Sequence, residues 1–212
     1  MKYQAIIFDL DGVICHTDKY HYMAWKMLAD KLGIYFDEQV NNRLRGVSRM
    51  ESLAIIFENY DGIITEEEKI RYADEKNEIY KKYLQEMTSK DLSVEVKDTL
   101  QTLRNKGMKL AIGSSSKNAK FILNQIELGS FFDAISDGNN IVKSKPDPEV
   151  FLKAAEFIHI DPADCLVVED AVAGVEASIL AGMDCAALGD AGQSNRATYS
   201  LNNFAQLLEV CR

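Results

Sequence analysis

The sequence predicts an α/β protein: a parallel sheet with a helical insert after its first strand. Three observations carry that expectation. Short, nearly continuous apolar runs alternate with amphipathic segments, as they do where helices cover both faces of a parallel sheet. The alternation fails between about residues 16 and 88, where helical spacing takes over. Polar and acidic clusters fall just after the apolar runs, at strand carboxyl ends, where parallel sheets bind ligands.

Composition limits the classes to consider. The chain has 212 residues, 47% apolar and 27% charged, which suits a folded protein with a real core. Only three prolines and twelve glycines occur, too few for a collagen-like or disordered chain. The formal net charge of -9 repels nucleic acid and anionic membrane surfaces, so neither is an expected partner. It leaves room for a local cluster of basic residues that holds a small phosphorylated molecule. Cys15, Cys165, Cys185 and Cys211 are far apart and form no C-x-x-C pair. The start, MKYQAIIFDLDG, does not read as a signal peptide, and no apolar run reaches the length of a membrane span. A reducing, cytoplasmic setting is therefore expected.

The elements follow in order. Residues 3–8 read as the first buried strand. Apolar residues then recur at helical spacing over 20–32, and Gly33 stops the run. Ser48 with Glu51, and Thr65 with Glu68, each fit a capping box and start a further helix. The charged run 66–71 reads as a solvated helix face. Beyond residue 88, helices are expected at about 95–106, 117–127, 148–158 and 172–181. Strands are expected at 108–112, 133–135, 166–168 and, more weakly, 184–188. Gly107 and Gly182 fall at helix ends.

Four loops carry the candidate chemistry. Asp9-Leu10-Asp11-Gly12-Val13 leaves the first strand with two carboxylates, whose repulsion a divalent cation with oxygen ligands would offset. By itself, D-x-D-G equally suits a tight turn. Gly113-Ser114-Ser115-Ser116-Lys117-Asn118 follows the second strand and offers hydroxyls and free N–H groups to a phosphate. It equally suits a polar helix cap with Ser116 as the N-cap. In Ser144-Lys145-Pro146-Asp147-Pro148 the prolines fix the loop, so Lys145 reads as a stationary charge, or as an ordinary surface lysine. Glu169-Asp170 ends a buried strand, as a metal or base partner would require, or as an N-cap aspartate would. All four in this order, each at a strand end, point to one site.

With these loops the chain resembles the haloacid dehalogenase superfamily over essentially its full length. The resemblance implies a Rossmann-like core domain of residues 1–15 and 89–212, with residues 16–88 as a helical cap domain. Within the superfamily it is similar to the β-phosphoglucomutase family, through FDLDGVI at 8–14, YHYMAWKMLA at 20–29, GVSRMESL at 46–53, EKN at 75–77, SSSKN at 114–118 and SKPDP at 144–148. The resemblance implies interconversion of β-glucose 1-phosphate and glucose 6-phosphate through an aspartyl-phosphate and a bisphosphate. Asp9 would be the nucleophile and Asp11 the general acid and base. Mg2+ would be held by the side chains of Asp9, Glu169 and Asp170 and the backbone carbonyl of Asp11. Ser114 and Lys145 would bind the transferring phosphoryl group. Arg49, Ser116, Lys117 and Asn118 would bind the second phosphate, with Ser115 in the same loop. Thr17 would sit at the hinge near Asp11. His21, Trp25, Arg45, Gly46 and Lys76 would add contacts from the cap side. A monomer is expected, because cap opening needs a free rim. The chain departs from the pattern at His16, for aspartate, at Arg45, for lysine, and at Ser115 and Ala171. A phosphatase of the same fold shares Asp9, Asp11, Ser114, Lys145 and the metal but needs no second phosphate clamp. A non-catalytic scaffold would have lost one of those groups, and a dehalogenase would not need the Glu169-Asp170 pair.

Overall fold

The structure is a computed structural model that describes residues 2–44, 47–58, 60, 62–193 and 195–212. Arg45 and Gly46, expected on the cap side, lie outside the described residues. Six parallel strands form one sheet: β1 (Ala5–Phe8), β2 (Lys109–Gly113), β3 (Ala134–Ser136), β4 (Cys165–Glu169), β5 (Asp184–Ala187) and β6 (Tyr199–Ser200), in the order β3-β2-β1-β4-β5-β6. This is the doubly wound α/β order, with its switch point beside β1. The short β6 has no apolar run to announce it. It is held at the sheet edge by a polar cluster, where Tyr199 Oη meets Tyr3 Oη at 2.9 Å and Lys2 Nζ at 3.0 Å.

Successive residues of the central strands face opposite layers, as period two requires. Ile6, Phe8, Leu110, Ile112, Leu166 and Val168 join one core cluster, which takes in residues of helices α5 (Val94–Asn105) and α6 (Ala119–Gln125). Ile7, Ala111, Val167 and Cys185 join the other, with residues of α7 (Glu149–Ile158) and α8 (Val172–Leu180). The strands are therefore buried on both faces, which is why they read as continuous apolar runs. The expected elements all appear, with ends displaced by one or two residues. A short last helix, α9 (Leu207–Val210), closes the chain.

Between β1 and α5 the chain forms α1 (Asp18–Leu32), α2 (Glu38–Asn42), α3 (Arg49–Phe57) and α4 (Glu66–Leu84). Both expected capping boxes are present, at Ser48 and Thr65, and Gly33 caps α1 in the left-handed region at φ 70°. Trp25, Leu28, Phe36, Leu53 and Ile56 form a hydrophobic cluster distinct from the two that flank the sheet. The insert thus carries a core of its own. At its C-terminal return, Gln125 Nε2 of α6 donates to the carbonyls of Leu84, Gln85 and Met87 at 3.2–3.3 Å, tying the end of α4 to the sheet domain.

Leu53 lies one turn after Arg49 on α3 and is 1% exposed. Leu53→Ala is expected to destabilise the insert by about 2–5 kcal/mol, as cavity-forming core substitutions do, seen as a lower midpoint in urea unfolding.

Candidate active site

The site is built on the carboxyl ends of β1, β2 and β4, the three central strands. Asp9 continues β1 through a hydrogen bond from its N–H to the Val168 carbonyl at 2.9 Å and is 8% exposed. Gly12 then turns the chain at φ 92°. A Cβ there would stand 2.1 Å from Asp170 Oδ2, so glycine lets the Asp170 carboxylate pack against the 11–12 backbone. Gly174 does the same for Glu169, whose carboxylate would lie 1.9 Å from an added Cβ.

Lys145 joins the two ends of this group. Its ammonium is 2.5 Å from Asp9 Oδ1 and 2.5 Å from Glu169 Oε1, and the residue is 1% exposed. The Phe151 ring lies beneath it at 4.7 Å. Glu169 Oε2 accepts the N–H groups of Asp170 and Ala171, both at 2.9 Å. Burial works against the lysine charge, but the two carboxylates outweigh it and raise its pKa. Burial is also the main force raising the pKa of Asp9; Lys145 opposes that rise, and Glu169, Asp170 and Asp11 add to it.

Asp11 stands in a different setting. Burial pushes its pKa up to about 6, against a hydrogen bond from Thr17 Oγ1. Thr17 is fully buried and is the N-cap residue of α1, yet its hydroxyl makes no capping bond. It donates to Asp11 and accepts from Tyr80 Oη of α4 at 3.1 Å. Beside Tyr80, Lys76 Nζ lies 2.9 Å from His21 Nδ1 and 4.6 Å over the Trp25 ring. Burial and the neighbouring Lys76 and Arg49 charges hold the His21 pKa well below its usual value. Burial and Arg49 likewise lower that of Lys76, with Asp11 opposing.

The loop after β2 folds on its own hydroxyls. Ser114 Oγ accepts the Ser116 N–H at 3.1 Å, and Ser116 Oγ accepts the Asn118 N–H at 3.2 Å. Ser116 is therefore not the N-cap that its position suggested. Asn118 is, and α6 begins at Ala119. The turn made by the two serines delays the helix by two residues. The N-cap aspartate reading of Asp170 also falls, because Ala171 takes that place in α8.

One cavity of about 110 Å³ is lined by Asp9, Asp11, His21, Trp25, Arg49, Lys76, Ser114, Ser115, Ser116, Lys117, Asn118, Lys145, Glu169 and Asp170. Among the residues expected at the site, Thr17 stands behind this wall, and Arg45 and Gly46 are outside the described residues. Asp18, Asn41, Ser52 and Asn77 also line the cavity, and residue pattern alone did not single them out. Ser52 lies one turn after Ser48, and Asn77 follows Lys76, so position within the quoted stretches was the one available signal.

Oxygen donors of Asp9, Asp11, Glu169 and Asp170 line one cavity, and among them Asp9 and Glu169 share the Lys145 ammonium. That donor chemistry fits a magnesium ion. Among the described residues, no three acidic side chains already converge at metal-holding distances. Lys145 lies between two of them, and its charge takes up part of their repulsion.

Comparison with known proteins gives the family and the fold. A family model for haloacid dehalogenase-like hydrolases matches residues 6–188. The β-phosphoglucomutase of Bacillus subtilis is 41% identical over 188 residues, covering 88% of this chain and 83% of that protein. A phosphorylated-carbohydrate phosphatase of Thermotoga maritima is 29% identical, covering 98% of this chain and 91% of that protein. The crystal structure of β-phosphoglucomutase from Clostridium difficile superposes with a TM-score of 0.91 at 40% identity, covering 97% of this chain and 93% of that one.

Removing Lys145 leaves Asp9 and Glu169 buried without a counter-charge. Lys145→Met should lower stability at neutral pH by about 3–5 kcal/mol. A carboxylate whose folded pKa is raised stabilises the fold below that pKa and loses the effect as pH rises. The deficit should therefore shrink between pH 7 and pH 5 in thermal melts. Added Mg2+ should raise the melting temperature of the variant more than that of the wild type.

Proposed function

Because the chain belongs to the haloacid dehalogenase-like hydrolases, we propose that it is an enzyme of phosphoryl transfer, a magnesium-dependent β-phosphoglucomutase interconverting β-glucose 1-phosphate and glucose 6-phosphate. The observation that carries this reading is the lining of one cavity, which holds two sets of phosphate-binding groups. Asp9, Asp11 and Lys145 line it together with Arg49, Ser116, Lys117 and Asn118. A hydrolase needs one phosphate site, whereas a hexose bisphosphate needs two. The relatives from Bacillus subtilis and Clostridium difficile favour the same choice.

On this reading Asp9 attacks phosphorus, forming an O–P bond as the bond to the leaving sugar oxygen breaks. Its carboxylate needs no base. Lys145 and Ser114 hold the equatorial oxygens. Asp11 removes the proton from the sugar hydroxyl that attacks the phosphoenzyme, and returns it in the reverse step. A pKa of about 6 suits both duties. Thr17 and Tyr80 aim that carboxylate. Arg49 and the 116–118 loop hold the second phosphate while its partner reacts. Mg2+, held by Asp9, Asp170, Glu169 and the Asp11 carbonyl, would neutralise charge on the transferring group. Residues 16–88 act as the cap and residues 1–15 and 89–212 as the core, the cap keeping water from the phosphoenzyme. Four buried, unpaired cysteines fit a reducing compartment, and we place the enzyme in the cytoplasm.

The test is a product assay with magnesium, β-glucose 1-phosphate and a trace of the 1,6-bisphosphate. Glucose 6-phosphate formed with little free phosphate is expected; free phosphate as the main product would instead make this a sugar-phosphate phosphatase. Asp9→Asn should abolish both the phosphoenzyme and turnover. Asp11→Ala should lower turnover by about 10²–10⁴-fold. In the wild type, turnover should fall below about pH 6 as Asp11 takes up a proton and can no longer act as base, and a pH–rate profile reads this directly.

A further inference from the structure

Asn77 makes a direct side-chain hydrogen bond across the cleft. It lies on α4, in the insert, and its Oδ1 accepts from Nδ2 of Asn118, in the loop after β2, at 2.9 Å. Both residues line the catalytic cavity. Asn118 is the N-cap of α6, and asparagine is among the best N-cap residues because its side chain can bond the helix's own N–H groups. Here it makes no such bond. A helix of seven residues gives up its cap so that the amide can reach the facing domain.

The arrangement also settles what Asn77 can offer a ligand. An amide side chain has one acceptor oxygen and two N–H donors. With Oδ1 turned toward Asn118 and one of its lone pairs used there, both N–H donors remain for the cavity. Arg49, Lys117 and Asn118 share the same wall. Such donors suit the oxygens of a phosphate or a sugar hydroxyl, and a carboxylate at this position would repel the phosphate.

We propose that Asn77 is a positioning and specificity residue for the second phosphate. It holds Asn118 in place from the insert and presents an N–H donor to a phosphorylated sugar. The proposal rests on the two-phosphate reading of the cavity. It adds a contact from the insert, on the turn of α4 that also carries Lys76 and Tyr80. One stretch of helix therefore touches both the second-phosphate loop, through Asn77, and the Asp11–Thr17 pair, through Tyr80.

Three measurements test this on the full-length protein. Calorimetry gives the affinity for glucose 6-phosphate. Phosphoenzyme formation from acetyl phosphate, which has no second phosphate, reports on Asp9 alone. Steady-state rates give KM and kcat separately. Asn77→Ala should weaken glucose 6-phosphate binding about tenfold to a hundredfold, the scale of a lost hydrogen bond to a charged group. It should raise KM more than it lowers kcat, and leave the acetyl phosphate reaction within about twofold of wild type on the same reasoning. Asn77→Asp keeps an acceptor for Asn118 but replaces the donors with a negative charge, and should bind the sugar phosphate more weakly than the alanine variant. In an Asn118→Ala background the Asn77→Ala effect should shrink, because the two residues act together. Unchanged affinity in both Asn77 variants would overturn the proposal. So would a parallel loss of the acetyl phosphate reaction, which would mark general damage. If Asn77→Ala weakens binding while the wild type releases only free phosphate, the mutase reading fails and the second-phosphate role of Asn77 falls with it, leaving only a sugar-phosphate contact.

Discussion

Like charge gathered at the ends of adjacent strands is the constraint on which the rest of the site depends. β1 and β4 are neighbours in the sheet, and each ends in an acidic residue, Asp9 and Glu169. Burial at that point raises the energy of both carboxylates. Lys145 answers it from a third loop, with its ammonium 2.5 Å from each. Because that ammonium is buried and rests over Phe151, it cannot swing away into solvent. Coulomb attraction at such distances in a dry site far exceeds its value at the surface. The loop 144–148, β1 and β4 are thereby held in one arrangement, and Gly12 and Gly174 make room for the acidic side chains against the backbone.

Around that centre, two polar N-cap residues do not cap their helices. Thr17 and Asn118 both occupy N-cap positions, and neither caps its helix with its side chain. The capping boxes at Ser48 and Thr65, farther from the reacting groups, are complete. A missing side-chain cap costs about 1 kcal/mol, and in both cases the side chain instead bonds a residue across the site: Asp11 for Thr17, Asn77 for Asn118. A sequence specifies its fold through agreement between local and global preferences, and departures collect where function sets the terms.

The same contrast explains what could be read from the sequence. The strands were legible because both of their faces are buried, and apolar continuity follows directly. The helices of the insert were legible through Gly33 and the two capping boxes, which act over four residues. The strand-end loops were readable only as a set, since each alone suits a turn, a cap or a surface lysine, and the structure brings Asp9, Ser114, Lys145 and Glu169 to one cavity. β6 was not, since two residues held by Tyr3 and Lys2 leave no periodic trace. Ser116 misled because its hydroxyl suits a cap and a turn equally well, and only the neighbouring Ser114 decides between them. Asn41, Ser52 and Asn77 were missed because their meaning lies in which faces of α2, α3 and α4 meet the sheet domain, and that follows from tertiary packing.

The division between core and insert bears on how a fold of this kind chooses its acceptor. Asp9, Lys145, Glu169 and Asp170 all come from the strand ends, and this chemistry serves a hydrolase as well as a mutase. On the proposed reading, what distinguishes the two is whether a second phosphate is held and whether water is kept out, and α1, α3 and α4 contribute to both together with the 116–118 loop. Arg49, Lys76 and Asn77 present guanidinium, ammonium and amide groups to a cavity of about 110 Å³, with the buried Tyr80 bonded to Thr17 behind them. They are carried on a body with its own hydrophobic cluster. Such a body can change its surface residues without disturbing the sheet. On the proposed reading, substrate choice can therefore shift within the family while Asp9 and its counter-charge Lys145 stay fixed, so that a mutase and a phosphatase can share one set of strand-end groups.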